Sequence, residues 1–396
     1  MASFNKLVKE TAPQEEVCSK MLLATLFLFC ACWLHVRTET VSTKYGDIDG
    51  LVTSYPNASG PFKSVSKFFV GVPFAAPPTG ELRFKAPQPP KEWKPKVYSA
   101  KTHGSVCLQP KLFENLIEPF SSNFTYSEDC LYLDIYSPNI SLSLPVMVYI
   151  HGGGYLIGTA ITFPSDILAL QGVVVVIIQY RLGPFGFLTT GDSAAPGNYG
   201  MLDQVEALKW VKENIENFGG NPSKVTIFGE SAGGTSVGLH LLSPLSRDLF
   251  HQAIPESGVD LSPIAIQPTS FGLRFTKELA QKLNCGSSDN SAMVSCMRSK
   301  TASDMQRAAE SITFGFVDWA PVVDKNFLHD TPQVLRKKGE FKQVPLVITF
   351  TSNEGATFLG DMVNNSLGLM ESVDNGVSPT LFKSFLIKFA QVQNSR

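Results

Sequence analysis

Neither sign of charge is in excess. Lys and Arg number 33 against 35 Asp and Glu, a formal net charge of −2, so no basic balance points to nucleic acid and there is no acidic tail. Long apolar runs are nearly missing. Residues 21–36, MLLATLFLFCACWLHV, form the one such run; it is too short for a comfortable transmembrane helix and follows Lys6, Lys9 and Lys20. It reads as the apolar core of a secretory signal in a leader over 1–38, with Cys30-Ala31-Cys32 supplying small residues for cleavage. A signal anchor is the alternative, because the stretch before the run is long. No internal repeat is present. Past the leader there is no C-x-x-C pair, which argues against a structural zinc site, and the reading calls for no cofactor and no metal. Histidine is scarce too, six residues in 396, with none after His329.

What is present is an ordinary globular balance, 43% hydrophobic and 17% charged, read as one domain over 39–396. After a β-type run at 67–72, prolines at 73, 77, 78, 87, 89, 90 and 95 exclude long elements. Trp93 in that loop reads as a packing anchor. Strands are expected at 131–136 and 145–150. The continuous β-branched run VVVVIIQY at 173–180 has the pattern of a central parallel strand buried on both faces. Apolar residues at helical spacing predict a helix over 201–218, stopped by Gly219-Gly220-Asn221-Pro222. Helices at 276–283, 292–298 and 301–311 resemble an inserted cap. A strand at 345–350 and an amphipathic helix at 379–391 complete the pattern. Alternating strands and helices make this an α/β chain with a doubly wound, mostly parallel sheet, whose sites lie at the carboxyl ends of strands.

Past the leader stand Cys107, Cys130, Cys285 and Cys296. Four cysteines allow three connectivities, and their spacings favour two local loops. N-glycosylation sequons at Asn57, Asn123, Asn139 and Asn364 agree with a secreted or ER-lumenal chain.

Two motifs carry chemistry. A short apolar run at 225–228 enters Gly229-Glu230-Ser231-Ala232-Gly233, and helix-compatible residues follow. That is the strand, sharp turn and helix of a nucleophile elbow, with glycines where side chains would collide with the neighbouring strand and helix. The helix behind Ser231 points its first N–H groups at any oxyanion formed there. Upstream, the strand at 145–150 runs into His151-Gly152-Gly153-Gly154-Tyr155. Consecutive glycines after a strand let main-chain N–H groups approach a ligand, the second half of a hydrolase oxyanion hole.

With these residues in view, the sequence resembles the type-B carboxylesterases, the α/β-hydrolase family that includes the cholinesterases, over residues 41–359. Its landmarks are Ser127-Glu128-Asp129-Cys130-Leu131-Tyr132-Leu133, His151–Tyr155, Tyr180-Arg181-Leu182-Gly183, Gly197-Asn198, Leu202-Asp203-Gln204 and the elbow at 229–234. The resemblance implies a serine hydrolase that cleaves carboxylic esters through an acyl-enzyme. It makes Ser231 the nucleophile, Gly153, Gly154 and Ala232 the oxyanion donors, and Glu354 the acid that orients a histidine. It implies the disulfides Cys107–Cys130 and Cys285–Cys296. Thr349 and Asn353 depart from the family pattern around Glu354, where a glycine and an aspartate are common.

A larger departure concerns the base. In this class it follows the acid in the chain, yet all six histidines precede Glu354. His35 falls in the leader, His151 in the glycine loop and His240 on the helix behind Ser231, where a half-buried core role is expected. His103, His251 and His329 read as surface or loop residues. No base is assigned. Either the chain is a piece of a longer enzyme, truncated at its C-terminus, or it is a truncated product that binds without turnover; the complete elbow, oxyanion loop and acid favour the first. Cholinesterases hold choline against a tryptophan in the first disulfide loop, and none lies between Cys107 and Cys130, where Phe113, Phe120 and Phe124 are among the aromatics. The expected partner is therefore a small, broadly apolar ester. The second reading, a non-catalytic adhesion ectodomain on the same scaffold, is weakened by the presence of Ser231, which such relatives characteristically lose.

Overall fold

The computed structural model describes residues 37–58, 60–62, 66–110, 124–312, 318–354 and 383. The leader up to residue 36, Asn123, Asn364, Phe113, Phe120 and the expected helix at 379–391, apart from Lys383, lie outside the described residues, while residues 37 and 38 of the expected leader already belong to the first strand.

The strands are β1 (Arg37–Thr43), β2 (Gly46–Thr53), β3 (Ser66–Pro73), β4 (Tyr98–Ser99), β5 (Val106–Cys107), β6 (Tyr126–Ser127), β7 (Tyr132–Ser137), β8 (Leu144–Ile150), β9 (Val174–Ile178), β10 (Gly220–Glu230) and β11 (Gln252–Glu256). Helices are α1 (Asp166–Ala169), α2 (Gly183–Phe187), α3 (Tyr199–Asn214), α4 (Ala232–Leu242), α5 (Thr269–Lys282), α6 (Asn290–Ser299), α7 (Ala302–Glu310) and α8 (Pro332–Lys338).

The main sheet runs β1-β2-β3-β7-β9-β8-β10-β11, with β4 added to β2. β9 takes the middle with all five residues buried, because a strand of unbroken β-branched residues has no polar face to offer water. The β1 half is antiparallel up to β9; β9, β8, β10 and β11 are mutually parallel. Register matters for function. Gly229 lies beside Ile150, and Glu230 beside Glu256. Three parallel strands therefore end level, and the residues that follow them, His151, Ser231 and Ser257, emerge at one sheet rim, where α/β proteins place their sites.

α3 buries Met201, Val205, Leu208 and Val211 at helical spacing, and a 3-10 turn over Ile215–Phe218 ends at Gly219 with φ 79°, the left-handed exit that favours glycine. Phe218 of this segment packs against Trp210 and meets Phe69 of β3 edge-on with centroids 4.9 Å apart. Both expected disulfides form, Cys107–Cys130 and Cys285–Cys296. The helices expected as a cap appear as α5, α6 and α7. Buried Arg83 fastens α6 to the first disulfide loop: its Nε and Nη2 donate to Glu128, and its Nη1 donates to the carbonyls of Met297, Arg298 and Lys300.

One expected strand is reduced. Residues 345–350 touch β11 only through the bridges Leu346–Ala253 and Thr349–Glu256. Among the described residues the segment is bonded along one edge, and Val347 and Phe350 are 55% and 79% exposed; with no described strand on its far side, the pairing stays at isolated bridges. Among the described residues no helix is long and apolar enough to cross a membrane.

Candidate active site

Ser231 stands between β10 and α4 with φ 56° and ψ −120°, a region that a side chain adopts only when its surroundings enforce it. Its N–H donates to the Glu256 carbonyl at 2.9 Å, and its carbonyl accepts from Thr235 N–H at 2.8 Å. The glycines are explained by crowding. A Cβ on Gly229 would lie 2.4 Å from the Ile150 carbonyl oxygen, and one on Gly233 2.0 Å from the same atom. Gly258 is equally constrained, since a Cβ there would sit 2.2 Å from the Ser231 carbonyl oxygen. Gly258 carries no motif of its own in the sequence; the Glu256-Ser257-Gly258 triplet at the end of β11 is its one local signal.

The glycine loop after β8 comes up against the elbow. A Cβ on Gly152 would be 3.1 Å from Ser231 Cβ. Gly153 and Gly154 have φ 100° and 61°. The Gly153 carbonyl accepts from Leu156 and Ile157 N–H, both at 3.0 Å, and the Gly152 carbonyl accepts from His151 Nδ1–H at 3.0 Å. In a planar trans peptide the C=O and N–H point in opposite directions, so holding these two carbonyls sets the direction of Gly154 N–H and Gly153 N–H. No acceptor among the described residues takes the N–H of Gly153, Gly154 or Ala232.

Glu354 follows the bridged segment beside β11. Its Oε1 accepts from Ser257 Oγ at 2.7 Å and from Thr351 N–H at 2.6 Å, and these bonds, the Ser257 hydroxyl foremost, hold its pKa below the usual carboxylate range. Ser257 is one residue past Glu256, whose carbonyl anchors Ser231 N–H. Glu230 feels the same neighbourhood: burial first, then the charges of Glu354 and Glu256, raise its pKa. The fold thus brings Ser231, the glycine loop and Glu354 to one rim. Ser257 as the holder of Glu354 was not legible, because the two residues are 97 positions apart.

No described histidine is hydrogen-bonded to Ser231 or Glu354. His240 is fully buried, not half-buried, because α4 is packed on every side; it bonds Ser246 Oγ at 2.7 Å and Gln204 Oε1 at 2.9 Å. His103 is half-buried and paired with Asp134 at 2.7 Å. His251 Nδ1 accepts from Val225 N–H, and the His329 carbonyl accepts from Lys325 Nζ. Burial pulls the His151 pKa down to about 4 and that of His240 to about 3. Both folded values lie below the ordinary 6.5, so as pH falls the unfolded chain takes up these protons first. Each group is expected to remove up to about 1.4 kcal/mol of stability per pH unit below 6.5. For His103 burial opposes the charged form, but the hydrogen bond and charge of Asp134 outweigh it and raise the pKa. Its contribution is complete below 6.5 and fades as pH rises through the raised value, so it does not offset the acid loss. Denaturant titrations between pH 7 and 5 test this; a flat stability profile would contradict it.

The tryptophans past the leader are all engaged as packing. Trp93 lies against Tyr45 and Tyr98 and donates from Nε1 to the Asp47 carbonyl, and Trp210 and Trp319 are buried in the core. Among the described residues no group of three or more His, Cys, Asp or Glu is placed to hold a metal ion. Asn57 is exposed, and Asn139 is half-buried with its Oδ1 accepting from Ser141 N–H.

A family model described as "Carboxylesterase family" matches residues 37–393. Human cocaine esterase is 45% identical over 295 residues, 72% of this chain and 52% of that protein. Rat pyrethroid hydrolase Ces2e is 47% identical over 300 residues, 74% of this chain and 52% of its own length. Rat carboxylesterase 1C is 38% identical over 376 residues, 91% and 65% of the respective lengths. The chain thus spans between about half and two thirds of the length of these relatives.

Proposed function

Because the chain belongs to the carboxylesterase family, we propose that it carries the nucleophile half of a serine esterase, with Ser231 attacking carboxylic esters. The observation that carries this reading is the set of three amides, Gly153, Gly154 and Ala232, that find no acceptor among the described residues and lie on the segments beside Ser231. Ser231 Oγ bonds to the ester carbonyl carbon, and the carbonyl oxygen, now negative, is met by these N–H groups. The serine proton passes to a base and on to the departing alkoxide; water then releases the acyl group by the reverse sequence. Glu354, held at Oε1 by Ser257 and Thr351, keeps acceptor capacity on Oε2 for an imidazole N–H. That imidazole is not supplied by any of the five described histidines, His103, His151, His240, His251 and His329, so free imidazole serves as the substitute base in the tests.

The substrate is a broadly apolar ester. No tryptophan stands in the first disulfide loop, the place where a choline head group would meet an indole face, and Trp93, Trp210 and Trp319 pack elsewhere. The relatives named for cocaine and pyrethroid hydrolysis point the same way. Two disulfides accord with an oxidising, secreted or ER-lumenal setting. With imidazole present, short-chain naphthyl or nitrophenyl esters are expected to be cleaved in preference to acetylcholine. A strong preference for acetylcholine would overturn the substrate assignment.

A further inference from the structure

The first disulfide loop and the glycine loop are joined by one side chain. Gln109 is buried two residues past Cys107, and its amide is fully used. Nε2 donates to the carbonyls of Cys107 at 3.1 Å and Gly158 at 3.0 Å, and Oε1 accepts from Gly158 N–H at 2.9 Å. Gly158 is thereby held on both its N–H and its C=O. It is also a position no other residue can take, with φ 123° and a would-be Cβ 2.2 Å from His151 Nδ1. Gly158 therefore forms the wall against which the His151 ring rests, while Tyr180 stacks on that ring with centroids 4.4 Å apart. The ring lies between Tyr180 and the Gly158 main chain, and its Nδ1–H is delivered to the Gly152 carbonyl. A second link runs parallel: Thr159 Oγ1 donates to Gln179 Oε1, and Gln179 Nε2 donates to the Ser105 carbonyl.

We propose that Gln109 is a positioning residue for the oxyanion loop, acting through Gly158 and His151 on the peptide that carries Gly153 N–H. This rests on the esterase reading of Ser231. Gln109 touches neither substrate nor reacting atoms. It determines where the glycine loop sits relative to the elbow, and it makes that placement depend on the segment closed by Cys107–Cys130. Amide donors misplaced by about 1 Å lose on the order of 10²-fold in rate without weakening ground-state binding.

The test uses the full chain and two variants. Gln109→Met keeps the side-chain volume and removes every hydrogen bond; Gln109→Ala removes both. Hydrolysis of a nitrophenyl ester in added imidazole gives kcat and KM, and hydrogen exchange read by mass spectrometry follows the peptide bearing the Leu156 and Ile157 amides. The expected result is a kcat lower by about 10²-fold at nearly constant KM, with those amides exchanging about tenfold faster. Unchanged exchange, an unchanged kcat, or a rise in KM alone would each overturn the proposal. A general loss of packing is separated by exchange in α4, which stays at the parental rate if Gln109 acts locally and rises if the variant is merely unstable; the latter overturns the positioning role. If Ser231→Ala matches the parent in imidazole-dependent hydrolysis, the esterase reading fails instead, and the exchange measurement alone decides whether Gln109 sets the loop.

Discussion

Added imidazole is expected to raise Ser231-dependent hydrolysis of a short nitrophenyl ester by about 10²-fold, the lower end of what a positioned proton acceptor contributes. A serine hydroxyl is a weak nucleophile until its proton has somewhere to go. Glu354 and the amides proposed as acid and oxyanion donors stand near Ser231, yet the rings of His103, His151, His240 and His251 are occupied by other partners, and His329 bonds Lys325 through its carbonyl. Members of a triad act as a unit, so with the base missing the loss of the nucleophile costs little, the remaining 10³–10⁴-fold acceleration over water coming from the oxyanion hole and binding. Ser231→Ala is therefore expected to change the rate little without imidazole and to abolish the whole gain with it. Free imidazole cleaves such esters in solution, and that background is common to both proteins. The quantity to measure is the saturable excess of parent over Ser231→Ala. An equal gain in both would remove Ser231 from the chemistry.

Arg181→Ala is expected to cost about 3–5 kcal/mol of stability, the range for breaking one partner out of a buried ion pair. Arg181 and Asp203 are 3% and 0% exposed at the side chain. Nε and Nη2 donate to the two carboxylate oxygens at 2.7 and 2.6 Å, and the Arg181 main-chain N–H adds a third bond at 3.0 Å. Without the guanidinium the buried Asp203 side chain loses its two guanidinium donors and keeps the Arg181 main-chain N–H. The denaturation midpoint should fall at constant denaturant slope. A loss under about 1 kcal/mol, the scale of an exposed pair, would mean that water reaches Asp203.

This pair explains two of the landmarks in the sequence. Tyr180-Arg181-Leu182-Gly183 and Leu202-Asp203-Gln204 look unrelated in the chain and are partners across the core. Gly197-Asn198 is a third case: Asn198 adopts φ 59° and exchanges two hydrogen bonds with the main chain of Val322. Features carried by local backbone demands were legible. The elbow glycines follow from crowding at a strand-to-helix turn, the unbroken run of β9 from burial on both faces, and the end of α3 from Gly219. Features carried by contacts between distant residues were not. Gln109 reaches Gly158 across 49 positions, and Ser257 reaches Glu354 across 97; neither leaves a periodicity or a spacing to read. Burial of His240 was understated because small residues on α4, Gly233, Gly234 and Gly238, let neighbouring main chain close around the helix. The segment at 345–350 has a strand's composition, but composition does not say whether a second neighbour is there to pair with it.

Ser231 Oγ and the amides of Gly153, Gly154 and Ala232 are expected to converge on one point. A crystal structure of the chain with a phenylboronic acid tests this most directly, because boron takes a serine oxygen and presents a tetrahedral oxyanion without requiring turnover. The expected result is a bond from boron to Ser231 Oγ, with one boronate oxygen about 2.7–3.1 Å from the three N–H groups. A boronate bound elsewhere, or bound at Ser231 with that oxygen turned away from the glycine loop, would contradict the account.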